Sequence, residues 1–159
     1  MTAVHGAPQI QIIRADEREE AAALNARCHA LDRAAGARFV SRSYRFPFAV
    51  LAWHDQPVGV DIERIEACPP GFAASISTPT ELALRIAGDE ETISLWCSKE
   101  ALAKALGDAL DYDPRRLESP VAWPEGHAGP WRAARQDAPG GHVVWLCWRA
   151  QIPHAHPAQ

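Results

Sequence analysis

Three acidic residues of this sequence are spaced so that they could share one site. Asp61 and Glu63 stand two residues apart in VGVDIERI, residues 58–65, which alternates as a β-strand does. Their side chains should point to one face of that strand, with Cα atoms about 7 Å apart. Glu100 belongs to a predicted helix at residues 89–107, on the stripe that would otherwise be apolar. If the helix packs over the strand, the carboxylates form an oxygen-rich site suited to Mg²⁺, which leaves positions for water and substrate phosphate.

The two lysines of the chain stand on the same helix as this glutamate. Fourteen of the 16 cationic residues are Arg, and both lysines, Lys99 and Lys104, lie within six residues of each other. An ammonium group is a point charge that can neutralise phosphate oxygens. A simpler interpretation makes Glu100 and Lys104 an exposed i,i+4 ion pair and leaves the strand carboxylates solvated. From spacing alone, the simpler interpretation is favoured.

The elements that must position these residues follow an α+β pattern. We expect strands at residues 8–14, 48–54, 58–65, 121–123, 131–135 and 142–148, and helices at 16–35, 78–88 and 89–107. Thr78 should cap the second helix, with Pro79 at its first position and Glu81 completing a capping box. We also expect a β-hairpin joining residues 48–54 to 58–65, a turn at 139–141, a loop at 67–77, and a loop or edge segment at 39–44.

Composition narrows the class of protein. A chain of 159 residues predicts one domain, and its net charge of -4, without a basic block, predicts no nucleic-acid partner. The four cysteines are scattered singly, which is typical of reduced thiols in the cytoplasm. No apolar run is long enough for a membrane span, so no membrane partner is expected.

Other residues with reactive or metal-binding side chains are weaker candidates. Single His and Cys residues in strand-like or helical runs are more often packed or surface residues, and His54, Cys97, His127 and His142 fit that description. The six tryptophans should fill the core or a protein contact. The glycines form no phosphate-binding loop of the known types.

Two motifs together resemble the signature of 4′-phosphopantetheinyl transferases. They are V-G-V-D-I-E at residues 58–63 and W-C-S-K-E-A-L-A-K at residues 96–104, with 38 residues between Asp61 and Glu100. T-P-T-E-L between them is similar to a helix start in that family, and the similarity continues through A-L-G into the strand G-G-H-V-V-W-L. Residues 48–150 thus resemble the C-terminal lobe of the two-lobed type.

The resemblance implies a fold, an activity and a set of site residues. It implies an antiparallel sheet packed against helices at residues 48–150, after a shortened N-terminal segment at 1–47 and before a disordered tail at 151–159. The implied reaction moves the phosphopantetheine arm of coenzyme A to a serine of an acyl or peptidyl carrier protein, releasing adenosine 3′,5′-bisphosphate. Asp61, Glu63 and Glu100 would bind Mg²⁺, Glu100 would also deprotonate the serine, and Lys104 would contact the coenzyme A phosphates. Lys99 belongs to the same signature and is expected beside those phosphates.

The N-terminal part departs from the family pattern. Only 60 residues precede Asp61, and the triplet Ser41-Arg42-Ser43 has Arg where the family has His. Arg42 could hold a phosphate oxygen or be an ordinary surface residue. A missing half-site can come from a second subunit, as in the short, trimeric members of the superfamily, so we expect a homo-oligomer. The alternative function is a non-catalytic relative that binds coenzyme A or a carrier protein. Which carrier protein and pathway are served stays open.

Overall fold

A computed structural model of the chain describes residues 6–151, and within them seven strands form two antiparallel sheets. Sheet 1 has the order β1-β3-β2, and sheet 2 has the order β4-β7-β6-β5. The strands are β1 (Gln9–Arg14), β2 (Phe39–Arg45), β3 (Phe48–His54), β4 (Val58–Arg64), β5 (His127–Ala128), β6 (Trp131–Gln136) and β7 (His142–Arg149). The helices are α1 (Ala21–Ala35), α2 (Phe72–Ile76), α3 (Pro79–Ala83) and α4 (Asp89–Leu106), with short 3-10 turns at Pro114–Arg116 and Pro120–Ala122. The expected α+β fold, with antiparallel sheets packed against helices, is confirmed.

Apolar side chains of both sheets meet in one core. Along β3, alternate residues face opposite sides, so that Val50 and Ala52 join the cluster between the sheets while Ala49 and Leu51 face α1. A third cluster lies under α4, where Ala101 and its neighbours pack against β7. Both sheets are therefore covered on both faces, and β4 lies between the shared core and α4.

The expected hairpin between residues 48–54 and 58–65 is wrong. β3 pairs with β1 on one side and with β2 on the other, so neither of its edges is free for β4. β4 pairs instead with β7, more than eighty residues later in the chain. Local turn signals cannot predict such a distant partner, because strand pairing is decided by the whole fold.

Edge strands of the two sheets meet through serine hydroxyls. β2, expected as a loop or edge segment, is one of the two edge strands of sheet 1, and β4 is an edge strand of sheet 2. The Val60 amide donates to Ser41 Oγ at 3.0 Å, and the Ile62 amide donates to Ser43 Oγ at 3.2 Å. These two contacts satisfy backbone donors of β4 that have no strand beside them.

Several helix boundaries were predicted correctly and others were not. The capping box of Thr78 and Glu81 is present, with Pro79 at the start of α3, and α4 ends at Gly107 in the left-handed conformation. α1 begins five residues later than expected, and α3 ends at Ala83 instead of near residue 88. Residues 120–122 form a 3-10 turn, so the strand expected at 121–123 is wrong.

The expected segment boundary near residue 47 falls inside sheet 1. β1 and β2 come from the expected N-terminal segment, whereas β3 opens the expected main domain, and the three pair as one sheet. Of the expected tail, residues 152–159 lie outside the described residues. No helix within residues 6–151 is long and apolar enough to cross a membrane.

Candidate active site

Gly59 allows α4 to lie directly on β4. A Cβ atom at this position would stand 1.9 Å from the carbonyl oxygen of Ala101 and 2.5 Å from the amide nitrogen of Ala105. Both atoms belong to the helix backbone and cannot turn aside, so only glycine permits this approach. Asp61 and Glu63 share the face of β4 that carries Gly59, and they therefore lie beneath the same helix.

Asp61 is buried with one satisfied and one unsatisfied carboxylate oxygen. Its side chain is 5% exposed. Oδ1 accepts hydrogen bonds from the Ser43 hydroxyl at 2.8 Å and from Lys104 Nζ at 2.9 Å. Oδ2 is buried and has no hydrogen-bond partner. A buried acceptor without a partner is costly, and a bound cation would satisfy it.

Lys104 crosses from α4 to the junction of the two sheets. Besides Asp61, its Nζ donates to the carbonyl oxygens of Val60 at 3.0 Å and Arg42 at 3.4 Å. The ammonium therefore pairs with a strand carboxylate and not with Glu100, and the strand carboxylates are buried. The simpler interpretation of an exposed i,i+4 pair with solvated strand carboxylates is wrong.

A cavity of about 540 Å³ opens beside Lys104. Its walls come from β2, from Val58 at the start of β4, and from residues 107–111 after α4. The side chain of Lys104 is 22% exposed, so its charge is accessible from this cavity. An anionic group entering the cavity would meet an ammonium that Asp61 already orients.

Glu63 pairs with Arg45 of β2, and it follows Asp61 on the same face of β4. Nε of Arg45 donates to Oε2 of Glu63 at 2.8 Å, and Nη2 of Arg45 lies 2.5 Å from the same oxygen in the ion pair. Burial, followed by the negative charge of Asp61, raises the pKa of Glu63 to about 7, although Arg45 opposes the change. Burial and the neighbouring carboxylate of Asp61 therefore both disfavour the ionised form of Glu63.

Glu100 points toward the same region from α4. Its Oε1 accepts a short hydrogen bond from the hydroxyl of Tyr112. Burial raises the pKa of Glu100 above its ordinary value, the Tyr112 hydrogen bond opposes this, and the charge of Asp61 adds to it. Burial and Glu100 together raise the pKa of Tyr112, so this hydroxyl keeps its proton and acts as a donor.

The chemistry of these donors fits Mg²⁺. Asp61, Glu63 and Glu100 supply carboxylate oxygens, and one buried oxygen of Asp61 lacks a partner. Within residues 6–151, no three His, Cys, Asp or Glu side chains already enclose a common point. In this arrangement Arg45 pairs with Glu63, and Tyr112 donates to one oxygen of Glu100. The residues therefore suit a hard cation that keeps several water ligands. They do not suit a cation that needs protein ligands on every side.

Lys99 does not face this site. Its side chain is fully buried, and Nζ donates to Glu81 Oε2 at 2.6 Å, to the Pro114 carbonyl at 2.6 Å and to the Leu117 carbonyl at 2.8 Å. An ammonium group has three donors, and all three are used, so none is left for a phosphate. The same Glu81 carboxylate accepts hydrogen bonds from the backbone amides of Thr78 and Ser119. This ion pair therefore connects α4 to α3 and to the segment that follows α4.

Arg42 lines the cavity, but its guanidinium group is engaged elsewhere. Its side chain points to the α1 side of sheet 1 and pairs with Asp32. Asp32 also accepts from the indole nitrogen of Trp53 at 2.9 Å. The backbone carbonyl of Arg42 is the part that faces the site, where it accepts from Lys104.

The weaker candidates among His and Cys residues lie in packed or surface positions. The Cys97 thiol is buried against the carbonyls of Asp61 and Val143, and burial raises its pKa. His142 packs edge-on against Phe48, with ring centres 5.0 Å apart. His127 is exposed on β5, and burial lowers the pKa of His54 at the end of β3.

Sequence reasoning missed three residues of the site. Ser43 and Arg45 stand two apart on β2, and the same alternation that paired Asp61 with Glu63 would have placed them on one face. Their role was hidden because residues 39–44 were not assigned to a definite strand. Tyr112 lies in an irregular segment after α4, where no periodic pattern predicts which way a side chain points.

Comparison with known protein families finds a match for the part of the chain that contains these carboxylates. The family model of the 4′-phosphopantetheinyl transferase superfamily matches residues 57–142, which is more than half of the chain. The matched range contains the three carboxylates, both lysines and Tyr112, and it begins after Arg42 and Arg45. No curated protein is similar enough to the chain to count as a match. The chain belongs to the 4′-phosphopantetheinyl transferase superfamily.

Proposed function

We propose that this chain transfers the 4′-phosphopantetheine arm of coenzyme A to a serine of an acyl or peptidyl carrier protein. The observation that carries the proposal is the buried Asp61 carboxylate, which holds Lys104 with one oxygen and leaves the other oxygen without a partner. Membership of the superfamily supports a transferase of this type. In the proposed reaction the serine oxygen bonds to the phosphorus that carries the arm, and the bond to adenosine 3′,5′-bisphosphate breaks.

Asp61, Glu63 and Glu100 are the residues that would hold Mg²⁺. When bound, the ion would neutralise oxygens of the coenzyme A pyrophosphate and of the leaving bisphosphate. The chain's own part is to present carboxylate oxygens from β4 and α4 across the gap that Gly59 keeps narrow. Glu63 would have to lose its proton and share its carboxylate between Arg45 and the ion.

Lys104 is proposed to contact the phosphates of coenzyme A from the wall of the cavity. Its ammonium is held by Asp61 and by two backbone carbonyls, so little further ordering is needed when an anion arrives. The cavity of about 540 Å³ is within the usual size of small-molecule sites. Lys99, which was expected beside the phosphates, is not proposed to contact them, because the three donors of its ammonium group are already used within the fold.

Glu100 is proposed as the group that takes the proton of the acceptor serine. A general base works best when its pKa is near the working pH, and burial shifts the pKa of Glu100 in that direction. The proton passes from the serine hydroxyl to the carboxylate as the new phosphorus-oxygen bond forms. Asp61, with Lys104 bound to it, is less suited to this task.

A homo-oligomer is part of the proposal. Arg42 is committed to Asp32, so within the described residues the adenosine end of coenzyme A lacks an evident cationic contact. Val40 and Leu110, which line the cavity, are 40% and 97% exposed, and such apolar rims suit a protein contact. Light scattering should show more than one chain per particle. A monomeric particle with full activity would contradict this part.

The second candidate is a binding module without catalysis, because Arg45 already neutralises Glu63 and the three carboxylates do not converge. One experiment separates the two: incubate the chain with apo carrier protein, coenzyme A and Mg²⁺, and weigh the carrier protein by mass spectrometry. The transferase proposal predicts a carrier protein heavier by one phosphopantetheine arm. Coenzyme A binding without any added mass, across several carrier proteins, would favour the binding module.

A further inference from the structure

Among residues 6–151, the Glu100 carboxylate has one hydrogen-bond partner, the hydroxyl of Tyr112. The phenol donates to Oε1, and Oε2 is left for other partners. Tyr112 stands in the segment that follows α4, which reverses direction at Gly107 with φ of 85°. It is twelve residues from Glu100 along the chain, so the contact depends on how that segment folds back over the helix.

The environment of Glu100 explains why a fixed donor is needed there. Glu100 on α4 and Asp61 on β4 lie on two elements that pack against each other, and two ionised carboxylates that approach one shared cation repel each other until it binds. Repulsion favours rotamers that turn Glu100 away from Asp61. A neutral hydroxyl that holds one oxygen can restrain the rotamer without removing the negative charge that a cation requires.

The segment that carries Tyr112 also forms part of the cavity wall. Residues 107–111 line the cavity beside Lys104, and Tyr112 follows them directly. The backbone of this segment is anchored by the amide of Asp108, which donates to the carbonyl of Ala103 at 2.9 Å. The wall of the cavity and the donor to Glu100 are therefore one continuous piece of chain.

We propose that Tyr112 is a positioning residue that orients Glu100 toward the Asp61 carboxylate, so that the two can bind one divalent cation. The inference rests on the proposed function for its effect on turnover, whereas its effect on Mg²⁺ binding can be measured without any reaction. Loss of an outer partner of a metal ligand commonly costs 10- to 100-fold in metal affinity or activity. We therefore expect Tyr112→Phe to weaken Mg²⁺ binding about 10-fold.

The chain offers a matched control, because it contains only two tyrosines. Tyr44 lies on the α1 side of sheet 1 beside Cys28, away from the three carboxylates. Isothermal titration with Mg²⁺ should give the same affinity for Tyr44→Phe as for the unchanged chain. Equal affinity for Tyr112→Phe, or tighter binding by it, would overturn the inference, and neither result depends on whether the transfer reaction occurs.

Two further measurements exclude a merely structural effect. In Glu100→Gln, adding Tyr112→Phe should not weaken Mg²⁺ binding further, because the tyrosine acts through that carboxylate. In the transfer assay, Tyr112→Phe should lower kcat about 10-fold and leave the KM for coenzyme A nearly unchanged. A full additional loss in the Glu100→Gln background, or a change in KM alone, would contradict the positioning role.

If Tyr112→Phe does not fold, NMR spectroscopy of the Tyr44→Phe variant still tests the role of Tyr112. In Tyr44→Phe, Tyr112 is the remaining tyrosine, so ring-labelled tyrosine gives one NMR signal that reports on it. That signal should move during a Mg²⁺ titration, with the midpoint found by calorimetry. A signal that stays in place while Mg²⁺ binds would show that Tyr112 is not linked to the site.

Discussion

Replacing Gly59 by alanine tests the close packing on which the whole site depends. The added methyl group would lie 1.9 Å from the Ala101 carbonyl oxygen, 2.5 Å from the Ala105 amide nitrogen and 3.0 Å from Cβ of Lys104. Ordinary carbon-oxygen contacts are no shorter than about 3.3 Å, so α4 would have to move by more than about 1 Å. The substitution adds one methyl group, but it requires a displacement of the whole helix.

The expected cost follows from the atoms that would clash. Overpacking commonly costs about 1–3 kcal/mol, and the two closest contacts here are rigid helix backbone, so we expect the upper end of that range or more. For a domain of this size, a loss of about 3 kcal/mol lowers Tm by roughly 6–12 °C. The same movement would separate Lys104 from Asp61, which are now 2.9 Å apart. Any transfer activity should therefore fall together with stability.

Gly140→Ala is the matched control for this experiment. A Cβ atom at Gly140 would meet no heavy atom within 4 Å, and its backbone is not in the left-handed region. Thermal and urea unfolding should show a large loss of stability for Gly59→Ala and almost none for Gly140→Ala. Equal Tm values for the two variants, with activity intact in both, would refute the account of how α4 lies on β4.

Two further predictions concern buried charges. The pKa of Glu63 rises from an ordinary 4.5 to about 7, so the folded chain keeps a proton that the unfolded chain releases. This contribution to stability is present below about pH 4.5 and is lost as pH rises to about 7, a change of about 3 kcal/mol. Urea unfolding between pH 5 and 8 should show this fall in the unchanged chain and not in Glu63→Gln, and an equal slope in both would contradict it. Lys99→Met should lower the free energy of unfolding by about 3–5 kcal/mol, because it leaves the Glu81 carboxylate buried without its cation. Adding Glu81→Gln to Lys99→Met should recover part of the loss in urea unfolding, and no recovery would argue against the buried pair.

The placement of Asp61 and Glu63 on one face of β4 could be predicted, because it depends only on local periodicity. Two residues separated by one position on a strand share a face whatever the strand pairs with. Placing Glu100 above them required only that α4 cover β4, which the resemblance to the transferase family implied and which spacing alone did not favour. The partner of β4 was not predictable in the same way, because β7 lies far along the chain and a local turn signal pointed to β3 instead.

The two lysines show what helix geometry can predict about the direction of a side chain. Lys99 and Lys104 are five residues apart, which places them about 140° apart around an α-helix. They therefore face different surroundings: Lys104 reaches Asp61, whereas Lys99 reaches Glu81. Proximity in sequence suggested a shared role, and helix geometry already argued against it. The partner Glu81 was recognised only as a capping residue, a role that it also has.

The measurement that tests the central claim most directly compares the unchanged chain with Asp61→Asn in the transfer assay. Asparagine keeps the shape of the side chain but removes the negative charge of the buried, unpartnered oxygen. The mass of an apo carrier protein is followed with coenzyme A, with and without Mg²⁺. We predict added phosphopantetheine only for the unchanged chain with Mg²⁺, with Asp61→Asn still folded and nearly inactive. Transfer by Asp61→Asn at an unchanged rate, or transfer by the unchanged chain after the divalent cation is removed, would contradict the account.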